Sequence, residues 1–486
     1  MPSIDLLIVG AGTAGLAAAA TAAELGIAAT VVEKSDRVGG QLHWSFGQFS
    51  AAGTRRQRAQ GIEDTAQAHY DDVMRIGRGM ATPHLVRLAT EHAGPMVDWL
   101  EDIGFPFDEQ CPAIVLGHEP YSTARTYWAS GPAMDGGKGI LRTLRRRLDE
   151  VAGGSARLDV LLETAMVGLV YEDGPAGRAV AGVVVEDAGG RRELRARRTL
   201  LTTGGYAAAR DLLPHLQPRY ASALTGCRPT STGDLHRLLR RDLGVQMVGS
   251  EVYVPTMGLI EDPAAPGFGF PLHRQRVIVD AHQRRPWEVW VNRGGERFVA
   301  EDVRSPDVRE HALMAQPDLA MAVVWDDQVM QAAPAVIGPD WSAQDVQRAA
   351  EDSGWLHRAD TLAELAWWLE VDPAGLERSV SRYNDDLNAG RPDAWGRQHR
   401  PVELVRAPFY GVVSRGGMLL SRGGPAVDDQ LRPLDAAGRP LLGCRVVGEA
   451  LGMTQFSGDA FAGGMSVGPA LSLGRWAVQE VARTLA

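Results

Sequence analysis

The chain is poor in cysteine and lysine, and the shortage of cysteine narrows the classes of protein to which it can belong. Its three cysteines, Cys111, Cys227 and Cys444, are far apart and form no CxxC or CxxCH pattern. We therefore expect no iron–sulfur site, attached haem, disulfide framework or metal, and a reducing cytoplasm is the simplest compartment. Only Lys34 and Lys138 are lysines, so arginine carries nearly all the positive charge.

Long apolar runs and an excess of positive charge are also missing. No uninterrupted apolar segment is long enough to span a bilayer. The apolar N-terminus is interrupted by Asp5 and lacks the basic leader of a secretion signal. A formal net charge of −10 over 486 residues argues against a general affinity for nucleic acid or anionic membranes. At roughly 100–200 residues per domain, the length suggests two or three domains.

The N-terminal segment contains the strongest motif of the chain. The apolar run Ile4–Val9 precedes Gly10-Ala11-Gly12-Thr13-Ala14-Gly15, and residues 13–25 form an alanine-rich helical stretch. Gly10 permits a tight turn, Gly12 lets backbone approach a pyrophosphate, and Gly15 lets the helix pack on the strand. The free N–H groups of the helix then face the anion, so the motif predicts a phosphate-binding cradle.

A second apolar strand supports that interpretation. Residues 28–32 are apolar and end in Glu33, at about the 20-residue offset where a carboxylate accepts hydrogen bonds from ribose hydroxyls. The glycine motif alone is weak, because glycine also marks ordinary turns. The strand, the helix and the acidic residue around it make nucleotide binding the favoured interpretation.

Five further segments carry a family resemblance. They are EK…GG with SAAGT…Q…GIED, within residues 33–64; TLLTTGGY, ending at Tyr206; VWVNRGGERFVAED, residues 289–302; Gly448-Glu449-Ala450; and SGDAFAGGMSVGPALSLGRWA, residues 457–477. Together they resemble the flavoprotein family of soluble fumarate reductases, succinate dehydrogenase flavoprotein subunits, urocanate reductases and 3-ketosteroid Δ1-dehydrogenases. The resemblance implies FAD rather than NAD.

The resemblance also implies the architecture. We expect an α/β protein with a Rossmann-like FAD-binding domain of the GR2 type, made discontinuous by an inserted α+β capping domain. The sequence changes near Gly249 to a proline- and tryptophan-rich region without alternating strands and helices. The predicted parts are 1–248 and 408–486 for the FAD-binding domain and 249–407 for the cap.

Two local patterns make separate structural predictions. Residues 166–171, 179–186 and 191–196 predict a three-stranded meander, followed by a distinct strand at 198–203. In the cap, Leu362, Leu365, Trp367, Trp368 and Leu369 recur at helical spacing, which favours a face packed in the core.

The resemblance assigns the cofactor contacts to the glycine turns and the loop after Glu33. A histidine in that loop carries the covalent flavin of the respiratory relatives, and Gln41 stands at its position here. Attachment there is excluded, His43 is only a remote alternative, and we expect non-covalent FAD. The predicted FAD-binding residues are Gly10, Gly12, Ala14, Gly15, Glu33, Lys34, Gly39, Gly40, Gln41, Ser45, Val167, Thr203, Gly204, Gly448, Glu449, Gly464, Ser466 and Val467.

The substrate motifs of the dicarboxylate reductases are not retained. Two histidines and an arginine of that family correspond here to Val254, Leu419-Leu420 and Phe461. Apolar side chains cannot provide the charge-assisted hydrogen bonds that hold two carboxylates, and burying a dianion without them costs several kcal/mol. We therefore expect an uncharged or mono-anionic, more apolar substrate instead of fumarate or succinate.

Four residues are candidates for proton transfer. By the resemblance, Arg284 falls where the family's proton-donating arginine stands, with a surface salt bridge as the alternative. Tyr253, at the start of the cap, can act as an acid or base if its pKa is shifted. Tyr127 and Tyr121 are further candidates, and hydrogen-bonded burial is the alternative for both.

The sequence therefore predicts an FAD-dependent oxidoreductase that forms or reduces a C=C bond next to a carbonyl group, with desaturation of a ketone-like substrate favoured. One alternative is an ene-reductase for an unusual unsaturated acid, in which Arg284 and either Arg125 or Arg422 grip one carboxylate. The other is a flavin-binding protein without turnover. The implied partners are a small-molecule substrate and an unidentified electron acceptor, and the oligomeric state stays open.

Overall fold

The computed structural model describes residues 4–132, 135–152, 158–175, 177–252, 256–270, 284–338 and 341–485. The helices are α1 (Thr13–Glu24), α2 (Arg55–Ala59), α3 (Ala66–Ile76), α4 (Pro83–Asp102), α5 (Gly136–Ala152), α6 (Leu213–Leu216), α7 (Asp234–Leu243), α8 (Pro306–Met314), α9 (Asp327–Ala332), α10 (Ala343–Asp352), α11 (Leu362–Trp368), α12 (Pro373–Asn388), α13 (Thr454–Ser457) and α14 (Val467–Leu485).

The strands form two large sheets and two small two-stranded pairs. They are β1 (Ile4–Val9), β2 (Ala29–Val32), β3 (Phe49–Ser50), β4 (Thr126–Tyr127), β5 (Leu158–Leu161), β6 (Ala165–Gly174), β7 (Gly177–Asp187), β8 (Gly190–Leu201), β9 (Leu224–Thr225), β10 (Met247–Val248), β11 (Thr256–Leu259), β12 (Val289–Val291), β13 (Ala320–Asp326), β14 (Leu356–Ala359), β15 (Phe409–Met418), β16 (Gly424–Pro425) and β17 (Cys444–Val446).

The first sheet has a parallel core around β1. Its order is β5-β2-β1-β8-β7-β6, and β17 also pairs with β8. β5, β2, β1, β8 and β17 are parallel to one another, so their carboxyl ends meet at one edge. Leu6, Leu7 and Ile8 are fully buried, as the continuous apolar run of β1 predicts for a strand covered on both faces.

β8 connects the parallel core to the predicted meander. Its first half pairs antiparallel with β7, which pairs with β6, and its second half pairs parallel with β1. The meander is confirmed, but the prediction of a separate strand at residues 198–203 is wrong. No glycine or proline interrupts the chain between Arg191 and Leu201, so the strand continues from one neighbour to the other.

The two ends of the chain meet beside the first sheet. α1 and α14 pack closely, and a Cβ atom added to Gly474 would lie 2.5 Å from the carbonyl oxygen of Ala14. β17 joins the same sheet as β1. The first domain is therefore discontinuous and contains both the N-terminal and the C-terminal elements, as predicted.

The second sheet forms the core of the cap. Its order is β11-β15-β13-β12, with β14 and β9 also paired to β15. Trp290 and Trp325 are buried between this sheet and the cap helices, which confirms an α+β arrangement. The domain boundaries at 248/249 and 407/408 stay a prediction. β9 precedes the first boundary and β15 follows the second, although both belong to this sheet.

The prediction for α11 is right for its leucines and wrong for its tryptophans. Leu365 and Leu369 are fully buried, whereas Trp367 and Trp368 are 70% and 47% exposed. The two indole rings contact each other with centroids 4.8 Å apart, and Trp368 stacks on His357. A short helix on a sheet buries only one stripe, so the positions next to it stay in solvent. Within the described ranges, no helix combines the length and apolarity needed to cross a membrane.

Candidate active site: a cavity between the first domain and the cap

A cavity of about 330 Å³ opens where four parallel strands of the first sheet end. The segments that follow β1, β2, β8 and β17 all contribute to it. We call these segments, together with residues 40–48 and the start of α14, the floor. The roof consists of six described cap-side residues: Gly258 of β11, Pro306, Arg309 and Glu310 of α8, and Leu419 and Leu420 after β15.

The glycine turn of the floor is shaped by close backbone contacts. Gly10 has φ +105°, and a Cβ atom there would lie 2.4 Å from the carbonyl oxygen of Thr202. A Cβ atom on Gly15 would lie 1.8 Å from the carbonyl oxygen of Gly10. At Gly12, in contrast, a Cβ atom would meet no atom within 4 Å. The backbone at Gly12 is therefore open to the cavity at the N-terminus of α1, where a pyrophosphate can approach.

Glu33 holds the next part of the floor in place. Its Oε2 accepts a hydrogen bond of 2.8 Å from the backbone N–H of Ala11, and its Oε1 accepts one of 2.9 Å from Ser35. Each carboxylate oxygen has a further lone pair. The residue can therefore position the turn after β1 and still accept hydrogen bonds from a ribose.

Two longer connections close the floor. Gln41 Nε2 donates to Ser231 Oγ at 3.0 Å, and Gln41 Oε1 accepts from the backbone N–H of Arg228 at 3.2 Å. Glu449 Oε1 accepts from the backbone N–H of Ser421 at 3.0 Å, and burial raises the pKa of Glu449. The loop after β2 and the turn after β17 are thereby tied to segments that lead into the cap.

Most of the predicted FAD residues line this cavity. The exceptions are Gly15, which lies behind the turn, Val167, which lies in β6, and Gly39, whose N–H donates to the carbonyl oxygen of Ala11. The remote alternative, His43, is also off the wall, with Nε2 3.0 Å from the carbonyl oxygen of Val38. The predicted residues on the wall are Gly10, Gly12, Ala14, Glu33, Lys34, Gly40, Gln41, Ser45, Thr203, Gly204, Gly448, Glu449, Gly464, Ser466 and Val467.

The predicted proton-transfer residues have different surroundings. Tyr253, like Val254, lies outside the described residues. Arg284 is buried in the cap, where its Nη1 contacts both carboxylate oxygens of Glu288 at 3.0 and 2.8 Å. The hydroxyl groups of Tyr127 and Thr54 are hydrogen-bonded at 2.6 Å. Neither Arg284 nor Tyr127 is on the described cavity wall, and their catalytic roles stay predictions.

The arginines proposed to grip a carboxylate are also deeply buried. Arg125 is fully buried and forms ion pairs with Asp64 at 3.0 Å and Asp72 at 3.1 Å. Arg422 is 2% exposed and lies over the ring of Tyr220, 5.8 Å from its centroid. Neither side chain is on the described wall.

Sequence reasoning missed three titratable residues that do line the cavity. His118 comes from the irregular region before β4 and stacks on Phe461 with centroids 4.4 Å apart. Arg309 and Glu310 come from α8, where both are buried. Burial raises the pKa of Glu310 to about 8, although Arg422 and Arg309 act in the opposite direction. A signal was available, because the helical spacing of Pro306, Arg309, Glu310 and Leu313 places two charges on an apolar face.

α8 is also the contact by which the cap is fastened over the floor. Its N-cap residue Ser305 accepts a hydrogen bond from the N–H of Val308, and Pro306 occupies the first turn. His311 contacts Asp307 Oδ1 at 3.0 Å and Asp459 Oδ2 at 3.3 Å. Arg78 pairs with the same two aspartates. We call these four residues, Arg78, Asp307, His311 and Asp459, the clasp.

The floor fits the dinucleotide FAD. An open backbone at Gly12, the N-termini of α1 and α14, and an acceptor carboxylate at the end of β2 match the groups that bind a pyrophosphate and a ribose. The position also agrees with the rule that ligands bind at the carboxyl ends of parallel strands.

Comparison with known proteins identifies the family. The FAD binding domain family matches residues 5–467. A probable fumarate reductase of Shewanella frigidimarina is 27% identical over 99% of this chain and 75% of the relative. A 4-oxocyclohexanecarboxylate 2-dehydrogenase of Sinomonas cyclohexanicum is 27% identical over 98% of this chain and 92% of the relative.

The fold is also similar to that of a solved structure. The crystal structure of a 3-ketosteroid Δ1-dehydrogenase from Sterolibacterium denitrificans superposes with a TM-score of 0.82 and 20% identity, over 100% of both chains. The match with the family over nearly the whole chain and the dinucleotide floor agree on the cofactor, FAD. The chain belongs to the FAD binding domain family and is an FAD-dependent oxidoreductase that acts on CH–CH groups.

Proposed function

We propose that the protein is a dehydrogenase that introduces a C=C bond next to the carbonyl group of a small ketone with at most one carboxylate. The observation that carries the proposal is the composition of the cap-facing wall. Leu419, Leu420 and Phe461 are apolar where the resemblance places dicarboxylate anchors. The described wall has one guanidinium group, that of Arg309, and the next residue in the sequence, Glu310, adds a carboxyl group to the wall.

The balance of charge favours such a substrate. One guanidinium can hold one carboxylate by a bidentate, charge-assisted pair, but a second carboxylate would be buried beside leucine and phenylalanine. The relative from Sinomonas supports the same class, since the compound in its name is a ketone with a single carboxylate. A neutral ketone is also compatible with this wall, because it has no carboxylate that needs a charged partner.

Bound FAD supplies the two-electron acceptor. The backbone around Gly12 would hold its pyrophosphate, and Glu33 its ribose. Gln41 stands where a covalent link would need histidine, so we propose non-covalent binding. We also propose a reducing compartment for the three unpaired thiols. The apolar residues of the roof, Pro306, Leu419 and Leu420, would exclude water from the substrate.

A second function, reduction of an unsaturated carbonyl compound, is favoured by one observation. Because burial raises the pKa of Glu310 to about 8, its carboxyl group is mostly protonated at neutral pH. A protonated carboxyl group can donate the proton that reduction of a C=C bond requires. Both functions use the same cavity and differ in direction.

An anaerobic reaction of the purified holoprotein tests the proposal. We expect 4-oxocyclohexanecarboxylate and cyclohexanone to bleach the visible flavin absorbance and succinate to leave it unchanged. Bleaching by succinate alone would contradict the ketone preference. Reoxidation of the photoreduced protein by enones, without bleaching by ketones, would establish the reductase instead. A flavin that responds to no compound of either set would favour a carrier without turnover.

A pair of variants tests the single-carboxylate part. Arg309→Gln should raise KM for 4-oxocyclohexanecarboxylate at least tenfold and leave KM for cyclohexanone nearly unchanged. Arg348→Gln, at an arginine whose side chain is 69% exposed on α10, is the matched control. Equal losses for both ketones in the Arg309 variant would show that the guanidinium does not recognise a carboxylate.

A further inference from the structure

Glu310 presents a buried carboxyl group to the cavity. It lies on α8 on the same helical face as Pro306 and Arg309 and lines the wall. The residue is only 7% exposed. In the described part of the chain, no side chain or backbone N–H hydrogen-bonds to this carboxyl group. Buried polar groups are normally hydrogen-bonded, so this one is suited to a partner that the described part of the chain does not provide, a ligand in the cavity.

The charged and titratable groups around Glu310 come from three parts of the fold. Arg309, Asp307 and His311 share α8 with it, Arg422 follows β15, and Tyr220 lies in the 3-10 turn Pro218–Tyr220. Arg422, Arg309 and His311 favour the carboxylate, whereas Asp307 and above all burial favour the acid. Both forms are therefore accessible near neutral pH, where a general acid or base is most effective.

We propose that Glu310 is the catalytic residue that exchanges a proton with the α-carbon of the carbonyl substrate, an inference that rests on the proposed function. In desaturation the Cα–H bond breaks and the proton passes to the Glu310 carboxylate. The electron pair of the broken Cα–H bond enters the new C=C bond, while hydride leaves the β-carbon for the bound two-electron acceptor. In reduction the β-carbon would take hydride from the reduced form of that acceptor, the C=C electron pair would bond Cα to the proton of the Glu310 carboxyl group, and the remaining carboxylate would be reprotonated by solvent.

The other candidate groups in the described part of the chain are already engaged in contacts within the protein. Tyr121 donates to the carbonyl oxygen of Gly463 at 2.5 Å, Arg284 is held by Glu288, and Tyr127 is hydrogen-bonded to Thr54. Among the described titratable residues of the wall, His118 is the main alternative to Glu310 for proton transfer, and its ring is stacked on Phe461. The test must therefore separate Glu310 from His118.

Two variants of Glu310 and a control provide that test. We expect Glu310→Gln to bind FAD with unchanged affinity and to lose activity by roughly 10²–10⁴-fold. Glu310→Asp should retain part of the activity with a displaced pH profile, because the carboxyl group is kept but moved. Glu351→Gln, on an exposed glutamate of α10, should behave as wild type. In wild type, desaturation should rise and reduction should fall as pH increases through about 8.

Infrared difference spectra give a readout that does not depend on turnover. Between pH 6 and pH 10 the wild-type protein should lose a protonated-carboxyl band that is absent from the Glu310→Gln spectrum. Activity of Glu310→Gln within about threefold of wild type, or an unchanged pH profile, would overturn the assignment. Loss of the pH-dependent step in a His118→Asn variant, which retains Glu310, would overturn it as well.

The outcomes for the proposed function stay separate. If the wild type oxidises ketones but Glu310→Gln keeps the rate and the pH profile, the function stands and the role of Glu310 fails. If the substrate is a dicarboxylate and Glu310→Gln still abolishes the pH-dependent step, the ketone proposal fails and the role of Glu310 stands. Should Glu310→Gln not fold, the displaced pH profile of Glu310→Asp and a shift of the protonated-carboxyl infrared band in that variant decide.

Discussion

The floor and the roof of the cavity are built on different principles. The floor presents backbone: glycines at turns, helix N-termini, and a carboxylate that is itself fixed by backbone N–H groups. The roof presents side chains from α8 and from the segment after β15. A cofactor shared by a family can be recognised by backbone shape, whereas a substrate is distinguished by side chains. The floor therefore suits the cofactor that the family shares, whereas the side chains of the roof are the ones placed to distinguish a substrate.

The largest effect should come from the turn on which the floor depends. Gly15→Ala would place a Cβ atom 1.8 Å from the carbonyl oxygen of Gly10, so we expect a loss of about 4 kcal/mol in the free energy of unfolding, together with loss of FAD. Urea denaturation of the apoprotein and fluorescence titration with FAD measure the two quantities.

Gly12→Ala is the matched control for the floor. Its Cβ atom would meet no protein atom within 4 Å but would project into the cavity. The apoprotein should keep its stability within about 0.5 kcal/mol and bind FAD at least tenfold more weakly. Equal loss of stability in both variants would show that Gly12, too, is needed for packing and not for the ligand.

A smaller effect, at the roof, depends on pH. The pKa of Glu310 is about 8 in the folded protein, against about 4.3 for an ordinary glutamate. The stability contributed by its protonated form is complete below about pH 4.3 and is lost as pH rises through 8. Glu310→Gln cannot ionise, so relative to wild type it should gain on the order of 3 kcal/mol between pH 5 and pH 9. Urea denaturation at both pH values measures this gain, and a constant difference would contradict it.

The clasp should contribute less. The hydrogen bond between His311 and Asp307 raises the pKa of His311 to about 9. The stability it contributes is complete below about pH 6.5 and is lost as pH rises through 9. His311→Gln should therefore cost roughly 1 kcal/mol at pH 6, reduced by solvent screening, and nothing measurable at about pH 10.5.

Thermal denaturation across this pH range tests the clasp, with His215→Gln as a control at an exposed histidine. A loss that persists at the highest pH would assign the contribution of His311 to packing instead of charge.

The smallest effect of a substitution is expected far from both the floor and the roof of the cavity. Trp367 is 70% exposed on α11, so Trp367→Ser should change the free energy of unfolding by less than about 0.5 kcal/mol and leave FAD binding unaltered. A loss above 1 kcal/mol in urea denaturation would show that this indole packs more tightly than its exposure indicates.

Particular elements show where sequence reasoning succeeds. β1, α1 and β2 follow from apolar runs and glycines that are adjacent in the sequence, and their bounds agree with the prediction to within a residue. β8 was divided wrongly because strand patterns do not reveal that one strand can change neighbours. The tryptophans of α11 were misplaced because spacing predicts a face but not how much of it is covered.

The sequence by itself determined the glycine turn, the first helix and the acidic end of the second strand, because each is encoded by residue types at short, fixed spacings. The discontinuous domain and the missing dicarboxylate anchors were implied by the family resemblance. Only the tertiary structure decided which polar groups meet above the floor. Glu310, Arg309 and His118 come from segments that are distant in the chain, and the pKa of Glu310 depends on burial by elements that no local pattern contains. Desolvation is a property of the assembled cavity, and it exists only after the cap has folded over the FAD lobe.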